Sequence, residues 1–592
     1  MTARDAATQA QVDAAQPDRS TWLAANAGSG KTQVLTDRVA RLLLAGVDPQ
    51  HILCLTYTKA AASEMQNRLF RRLGAWAMLP DDPLIAALIS LGFEGAVTPR
   101  ILRDARRLFA RAIETPGGLK IQTIHSFCAA LLRRFPLEAG VTPQFAEMDD
   151  RTESLLRAEI VEDLASGPNA GVVFALARHM TEESLDKLTT ELIRHRGAFA
   201  RPLTDADLAA LFDQPAGLSA KAICDRSFLG NEQALLDQIL PVLQIGSVND
   251  VKAAAKLSAL QALDLRALPI LEEVFLTGSG AKAPFSAKIG SFPTRSSQSA
   301  LVHIMPQLEQ FMLRVEAARP ARLALLAMQR ARALHDFAGL FLPAYERAKH
   351  LHGWLDFDDL ILRARDLLTH PDVAAWVLYR LDGGIVHILV DEAQDTSPVQ
   401  WQVIERLAQE FTSGQGARAD ILRTIFVVGD KKQSIYSFQG ADPREFDRMQ
   451  DEFSARLATT NAQLQTRILA HSFRSSLAIL RTVDCCFDQS KDSGFSPEES
   501  HKAFFDTLPG RVDLWPLVER PATDQPPAWF MPVDIRATSD PAVLLARRVA
   551  GAIRKMLAER QTIPDAKLAG GWRAVRPGDF LILVRRPSTL FH

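Results

Sequence analysis

The chain has 592 residues, room for roughly three or four domains, with 47% apolar residues, 23% charged residues and a net charge of −1. That balance is ordinary for a globular protein and exerts no global pull on nucleic acid, so any such affinity must come from local patches. Five scattered cysteines, an odd number without metal-ligand spacing, argue against a disulfide framework, and a polar amino terminus argues against a signal peptide. No apolar run approaches the roughly 20 residues that span a bilayer, so a reducing, cytoplasmic location with no membrane is expected.

In chain order, a short apolar strand at Trp22-Leu23-Ala24 leads into Ala25-Asn26-Ala27-Gly28-Ser29-Gly30-Lys31-Thr32. A helix follows, with Leu35, Val39, Leu42 and Leu43 on one face and Gly46 as its stop. Small residues and glycines let backbone N–H groups curl around phosphates. Lys31 can neutralise terminal phosphate charge, and the Thr32 hydroxyl can ligate magnesium. Ala25 stands where the usual phosphate-loop pattern has its first glycine.

A strand at 51–55, a helix at 59–73 and a strand at 119–123 come next, and their alternation implies a parallel sheet. Residues 1–145 therefore read as an α/β core. From 146 to 349, Leu, Ala, Arg and Glu recur at helical spacing, which predicts a mainly helical inserted domain with a long loop at 277–299. Sheet-type runs return at 385–390 and 424–428, so 350–454 rejoins the first core. A further unit is expected over 455–592, with a Pro-rich connection at 519–533 and a strand at 580–584.

The apolar run 385–389 ends in Val390-Asp391-Glu392-Ala393-Gln394-Asp395-Thr396-Ser397. This places two adjacent carboxylates at the carboxyl edge of a sheet, where α/β folds bind ligands. One can hold magnesium while the other orients a water that attacks a phosphoryl group. Alone, such a pair is also what a solvated strand end looks like. Its occurrence with Gly30-Lys31-Thr32 points to nucleotide hydrolysis.

Four more blocks sit at strand ends or between elements. Thr56-Tyr57-Thr58-Lys59 and Thr123-Ile124-His125-Ser126 put hydroxyls, an aromatic ring and an imidazole where single-stranded nucleic acid could lie. The third runs Gly429-Asp430-Lys431-Lys432-Gln433-Ser434-Ile435-Tyr436-Ser437-Phe438-Gln439-Gly440, and the fourth is His471-Ser472-Phe473-Arg474-Ser475. The segment 100–134 carries Arg100, Arg103, Arg106, Arg107, Arg111, Lys120, Arg133 and Arg134 against Asp104 and Glu114. It reads equally as a solvated helix face and as a phosphate-binding patch.

Taken in order, these blocks resemble the motifs of superfamily-one DNA helicases of the UvrD/RecB type. Asp356-Phe357-Asp358-Asp359-Leu360 and Gly510-Arg511-Val512-Asp513-Leu514 look like the AddA helicase–nuclease subunits within that group. The resemblance implies a RecA-like, phosphate-loop NTPase core with a large helical insertion and a second, incomplete RecA-like domain. It implies ATP and Mg2+ as cofactors. The roles it implies for ATP are adenine reading by Gln11, phosphate binding by Ala27, Gly28, Ser29, Gly30, Lys31 and Thr32, magnesium held by Thr32 and Asp391, and water activation by Glu392. It further implies γ-phosphate sensing by Gln433, adenine stacking by Phe473 and a γ-phosphate arginine, Arg474, from the second domain. Thr56, Tyr57, Thr123, His125 and Phe438 correspond to strand contacts. Each lone aromatic also reads as core packing, and Gln11 as a surface residue.

Two later family blocks and a carboxyl-terminal nuclease domain do not occur, so the chain is expected to be the amino-terminal portion of a longer protein. The activity implied is ATP-driven 3′-to-5′ translocation on single-stranded or duplex-end DNA in double-strand-break repair, with an AddB-like partner. The competing reading is a nucleotide- and DNA-binding fragment or interaction module without productive turnover.

Overall fold

The computed structural model describes residues 5–115, 118–180, 185–382, 384–411, 422–435, 440–460, 462–488, 500–519, 540–565 and 571–584. Helix α1 (Ala6–Ala14) precedes strand β1 (Ser20–Ala25), which runs into α2 (Lys31–Leu44). Strand β2 (Ile52–Thr56) is followed by α3 (Lys59–Met78), α4 (Asp81–Ser90) and α5 (Pro99–Glu114), and β3 (Lys120–Thr123) by α6 (Ile124–Arg134). Two short strands, β4 (Ala146–Glu147) and β5 (Trp354–Leu355), bracket the helical region. Strands β6 (His387–Val390), β7 (Thr424–Gly429) and β8 (Leu464–Leu469) follow, and beyond them lie two short strand pairs, His471–Ser472 with Lys502–Ala503 and Thr562–Pro564 with Trp572–Ala574.

Six of these form one sheet in the order β3-β2-β6-β7-β1-β8, and every pairing in it is parallel. β2, β6 and β7 are buried at every position, as strands covered on both faces must be. Neighbours on β1 show the two faces. Trp22 stacks on Trp401 at 5.9 Å and lies 5.0 Å from Phe446. Leu23 belongs to a core with Leu35 and Val39 of α2 and Met65, Leu69 and Leu73 of α3. Because all six strands run the same way, Ala25, Thr56, Thr123, Val390, Gly429 and Leu469 end at a single edge, and the sequence blocks follow directly from them.

The chain divides into two compact units: Met1–Gly140 with Leu360–His592, and Val141–Asp359. The second is helical, as expected. Its spine is the helix Met305–His352, which serves two apolar clusters. Leu308, Phe311 and Met312 pack with Leu243, Leu271 and Phe275, and Phe337, Phe341 and Tyr345 pack with Leu156, Ile160 and Leu192. The unit reaches slightly beyond 146–349 because β4 and β5 pair with each other. Asp356 and Asp359 also cap one another's backbone, at 2.8 and 3.1 Å.

Three sequence expectations change. The boundary drawn at 454/455 falls before β8, but β8 pairs with β1 along its whole length and belongs to the first sheet. Residues 580–584 do not form a strand: Leu581 and Leu583 are more than four-fifths exposed, and an extended segment becomes a strand only when a neighbour takes its backbone hydrogen bonds. The 277–299 loop ends in a short helix, Arg295–Ala300. Most of the Pro-rich stretch at 519–533 lies outside the described residues.

Candidate nucleotide site

The loop between β1 and α2 reverses direction by placing Gly28 and Gly30 at φ of 75° and 89°. A side chain is strained there, and space excludes one as well. A Cβ on Gly28 would lie 2.8 Å from Arg474 Cβ and Ser472 Oγ, and one on Gly30 would lie 2.5 Å from Gln11 Nε2. Ser29 is buried, and its hydroxyl is among the buried side-chain atoms that lack a hydrogen-bond partner. The start of the loop is pinned by Asn26 N–H donating to the Leu469 carbonyl at 3.2 Å. Gln11 Nε2 donates to the Ser29 carbonyl at 2.8 Å, which brings α1 to the same loop.

Lys31 opens α2, and its ammonium lies 2.9 Å from Glu392 Oε2. The two residues are 361 positions apart in the chain. Glu392 has φ 49° and ψ 45°, a left-handed conformation that non-glycine residues adopt at a cost of roughly 1–2 kcal/mol. Such strain persists where the surroundings over-determine it, commonly at functional sites. Here Glu392 N–H donates to Asp391 Oδ1 at 3.0 Å, and Gln394 Nε2 donates to Glu392 Oε2 at 2.8 Å. Burial, with Glu392 adding to it, pushes the Asp391 carboxyl up to about 7 against the opposing charge of Lys31. Burial and Glu392 likewise push Asp395 up to about 6. The Lys31–Glu392 pair and Asp391 lie beside a loop with an unsatisfied hydroxyl, a setting that suits a phosphate chain carrying its own cation, whereas among the described residues no group of three or more acidic, His or Cys side chains is arranged to hold a metal ion alone.

Gln433 is held by its own loop: its Nε2 donates to Asp430 Oδ2 at 2.6 Å. Phe473 N–H donates to the Gly28 carbonyl at 2.9 Å, and the Phe473 ring lies 4.4 Å from that of Phe504. Arg474 is exposed. The resemblance draws it from a second domain; here it follows β8 of the first sheet and then a two-residue strand, His471–Ser472, that pairs with Lys502–Ala503, and its Cβ flanks the phosphate loop.

The expected DNA contacts divide. Thr56 and Thr123 are buried. Thr56 Oγ1 donates to the Thr58 carbonyl at 3.1 Å, and Thr123 Oγ1 caps α6 by accepting from Ser126 N–H at 3.2 Å. Both hydroxyls are spent on local structure. Tyr57 and His125 are half-buried at the carboxyl edge, and each already engages a neighbour. Phe438 lies outside the described residues. Much of the basic segment is structural. Arg106 pairs with Asp81 at 2.6 Å, Arg111 pairs with Asp48, and Lys120 donates to the Gly384 carbonyl at 3.0 Å. Arg103 and Arg107 remain exposed. Gln394 and Phe504 are not singled out by the sequence reading. The position of Gln394 inside the acidic block is a usable signal, and nothing local marks Phe504.

Residues 6–454 match the UvrD/REP helicase N-terminal domain. The chain belongs to that family. Its sheet and phosphate loop are accordingly the family's RecA-like core. Among curated relatives, the AddA-type ATP-dependent helicase/nuclease of Desulforudis audaxviator is 30% identical over 520 residues, covering 79% of this chain and 38% of that protein. Its counterparts in Levilactobacillus brevis and Enterococcus faecalis are each 26% identical, covering 81% and 80% of this chain and 38% and 37% of their own lengths. The chain thus spans somewhat over a third of these relatives. The family match includes Gln11, Lys31, Asp391, Glu392 and Gln433 and stops short of Phe473 and Arg474, whose place beside the loop rests on geometry.

Proposed function

We propose that the chain binds ATP–Mg2+ at the carboxyl edge of its sheet and that hydrolysis there drives 3′-to-5′ movement on single-stranded DNA in double-strand-break repair. The observation that carries this reading is the Lys31–Glu392 pair beside the left-handed Gly28 and Gly30 turns. The N–H groups of 27–32 would face the phosphates. Lys31 would leave Glu392 for phosphate oxygens, freeing the carboxylate to orient water. Thr32 and Asp391 would hold magnesium, which supplies charge neutralisation at the phosphates. Gln433 would report on the terminal phosphate. Arg474 would stabilise its developing charge, an effect worth about 10³–10⁵ in rate where such an arginine is fully engaged. Phe473 would stack on adenine and Gln11 would read its edge. Tyr57, His125 and Phe438 would line the DNA path by base stacking.

A cytoplasmic location, an AddB-like partner and a second RecA-like domain beginning after β8 complete the proposal. The partner is suggested by the relatives' names, which call them a subunit, and among the described residues no helix is long and apolar enough to cross a membrane. Two variants test the core of it. Lys31→Ala should weaken ATP–Mg2+ binding at least 100-fold by calorimetry. Glu392→Gln should bind ATP normally and lose turnover. Unchanged affinity in the first removes the phosphate-loop assignment. Normal turnover in the second removes Glu392 as the catalytic carboxylate. Wild-type binding without DNA-stimulated turnover would favour the binding-module reading.

A further inference from the structure

Gln394 is 1% exposed and sits in the short turn after β6. Its side-chain amide is fully used. Nε2 donates to Glu392 Oε2 at 2.8 Å and to Asp395 Oδ2 at 3.2 Å, while Oε1 accepts from Asp430 N–H at 2.8 Å. Only a primary amide offers two donors and an acceptor in that plane. The fit is close on the far side too. A Cβ on Gly429 would stand 2.8 Å from Gln394 Oε1 and 2.7 Å from the Phe446 ring, so the end of β7 approaches the amide with no side chain between them.

Gln394 therefore joins two loops that carry different parts of the site. From Lys31 the contacts run to Glu392 Oε2, through the Gln394 amide to the Asp430 backbone, and through Asp430 Oδ2 to Gln433 Nε2, with Asp430 Oδ1 accepting from Lys432 N–H at 3.1 Å. Glu392 Oε2 is shared by Lys31 and Gln394. Once Lys31 turns to a phosphate, the Gln394 N–H is the remaining one of these two contacts. The direction of a carboxylate on a left-handed backbone is then set by this amide.

We propose that Gln394 is a positioning residue: it holds Glu392 in its water-orienting direction and couples that direction to the Asp430–Gln433 loop. The inference rests on the nucleotide site proposed above. Replacement by Glu keeps the shape and the acceptor for Asp430 N–H but sets a like charge against Glu392 and Asp395. Replacement by Met keeps length and loses all polar contacts.

The test uses the full 592-residue chain and reads three quantities for Gln394→Glu and Gln394→Met: ATP–Mg2+ affinity, DNA-stimulated turnover, and the factor by which single-stranded DNA changes the affinity for a non-hydrolysable ATP analogue, a coupling that is reciprocal by thermodynamic necessity. Affinity should stay within about threefold. Turnover should fall about 100-fold with little change in KM, and the coupling factor should fall to near one, as expected for an interaction that acts in the transition state and between loops rather than in ground-state binding. Gln394→Met placed in the Glu392→Gln background should cost no further turnover, because it acts through that carboxylate. Wild-type turnover and coupling in both variants overturn the inference. So does a parallel collapse of affinity and melting temperature in both, which would make the amide merely structural, and so does a wild-type chain that binds ATP but shows no coupling. Failure of the wild type to bind ATP–Mg2+ at all instead sinks the underlying site.

Discussion

Two lysines in this molecule meet carboxylates at nearly the same distance and do opposite things. Lys31 touches Glu392 at 2.9 Å, with side chains 11% and 34% exposed. Lys349, in the helical unit, touches Asp356 at 2.8 Å and Asp359 at 2.6 Å, with all three side chains no more than 6% exposed. Arg196 closes that cluster at 3.3 and 3.0 Å, and the Tyr345 ring lies 4.6 Å from the ammonium. Burial works against the Lys349 charge, but Asp356 and Asp359 outweigh it and hold the ammonium above the ordinary lysine range. Both aspartates are already paired with two cations, and Glu346, at the exposed rim, pairs with Lys349 at 3.0 Å, so no member of the cluster is left for a ligand. The Lys31 pair is more exposed and has a strained carboxylate and the left-handed glycine turns beside it, the setting in which the proposed function has a phosphate take the place of the carboxylate. Availability to ligand is set by what surrounds an ion pair, and its length says little.

The comparison breaks first at Lys349. Lys349→Met leaves two buried carboxylates with Arg196 as their remaining cation and should cost about 3–5 kcal/mol of unfolding free energy, read as a shift in urea midpoint at constant slope. A loss below about 1 kcal/mol would mean that the cluster is wetter than it looks.

The amino edge of the sheet should behave like the helical unit. There His387 is buried, with Nδ1 2.8 Å from Thr424 Oγ1, which also accepts from the buried Arg38. Burial, then Arg38 and His51, hold the imidazole down to about 4, against 6.5 for the free ring. A folded value below the unfolded one means that the unfolded chain takes up the proton first. Stability is therefore full above pH 6.5 and lost as pH falls from about 6.5 to about 4. His387→Gln should flatten that slope, by roughly 1–3 kcal/mol across the window. An unchanged pH profile from denaturant titrations would assign the acid sensitivity elsewhere.

Gly30→Ala adds a methyl at a left-handed position against Gln11. It should cost about 1–2 kcal/mol and lower ATP affinity at least tenfold. A crystal structure of that variant with an undisturbed loop would count against the tight fit drawn here. The smallest effect sharpens the contrast. Lys31→Met should change stability by less than about 1 kcal/mol while abolishing the proposed nucleotide binding. A loss of several kcal/mol would place Lys31 in the same structural class as Lys349.

The difference between the two lysines was only partly legible in the sequence. Gly30-Lys31-Thr32 after an apolar strand, and Asp391-Glu392 after another, are local patterns whose chemistry follows from residue type and spacing, and parallel β/α alternation brings strand ends to one edge. Those features determined the class of fold, the phosphate loop and the acidic pair. Lys349 sits in an unremarkable helical stretch. Its burial depends on Arg196, Asp356 and Asp359 converging on it from other segments.

The same reason explains Thr56 and Thr123. A hydroxyl at a strand end faces nucleic acid or caps a helix according to the next few backbone angles, and here it turns inward. The family resemblance draws Arg474 from a second domain, and the fold still carries it to the phosphate loop. β8 brings it back beside β1, since a parallel strand must find its neighbour through a crossover whose destination has no local code. Residue types and spacing decided which groups could do the chemistry. The tertiary structure decided which of them meet: Lys31 with Glu392 across 361 positions, and Gln394 with Asp430 across 36. Hydrogen bonds act over about 3 Å, and that closeness is created only when the sheet forms.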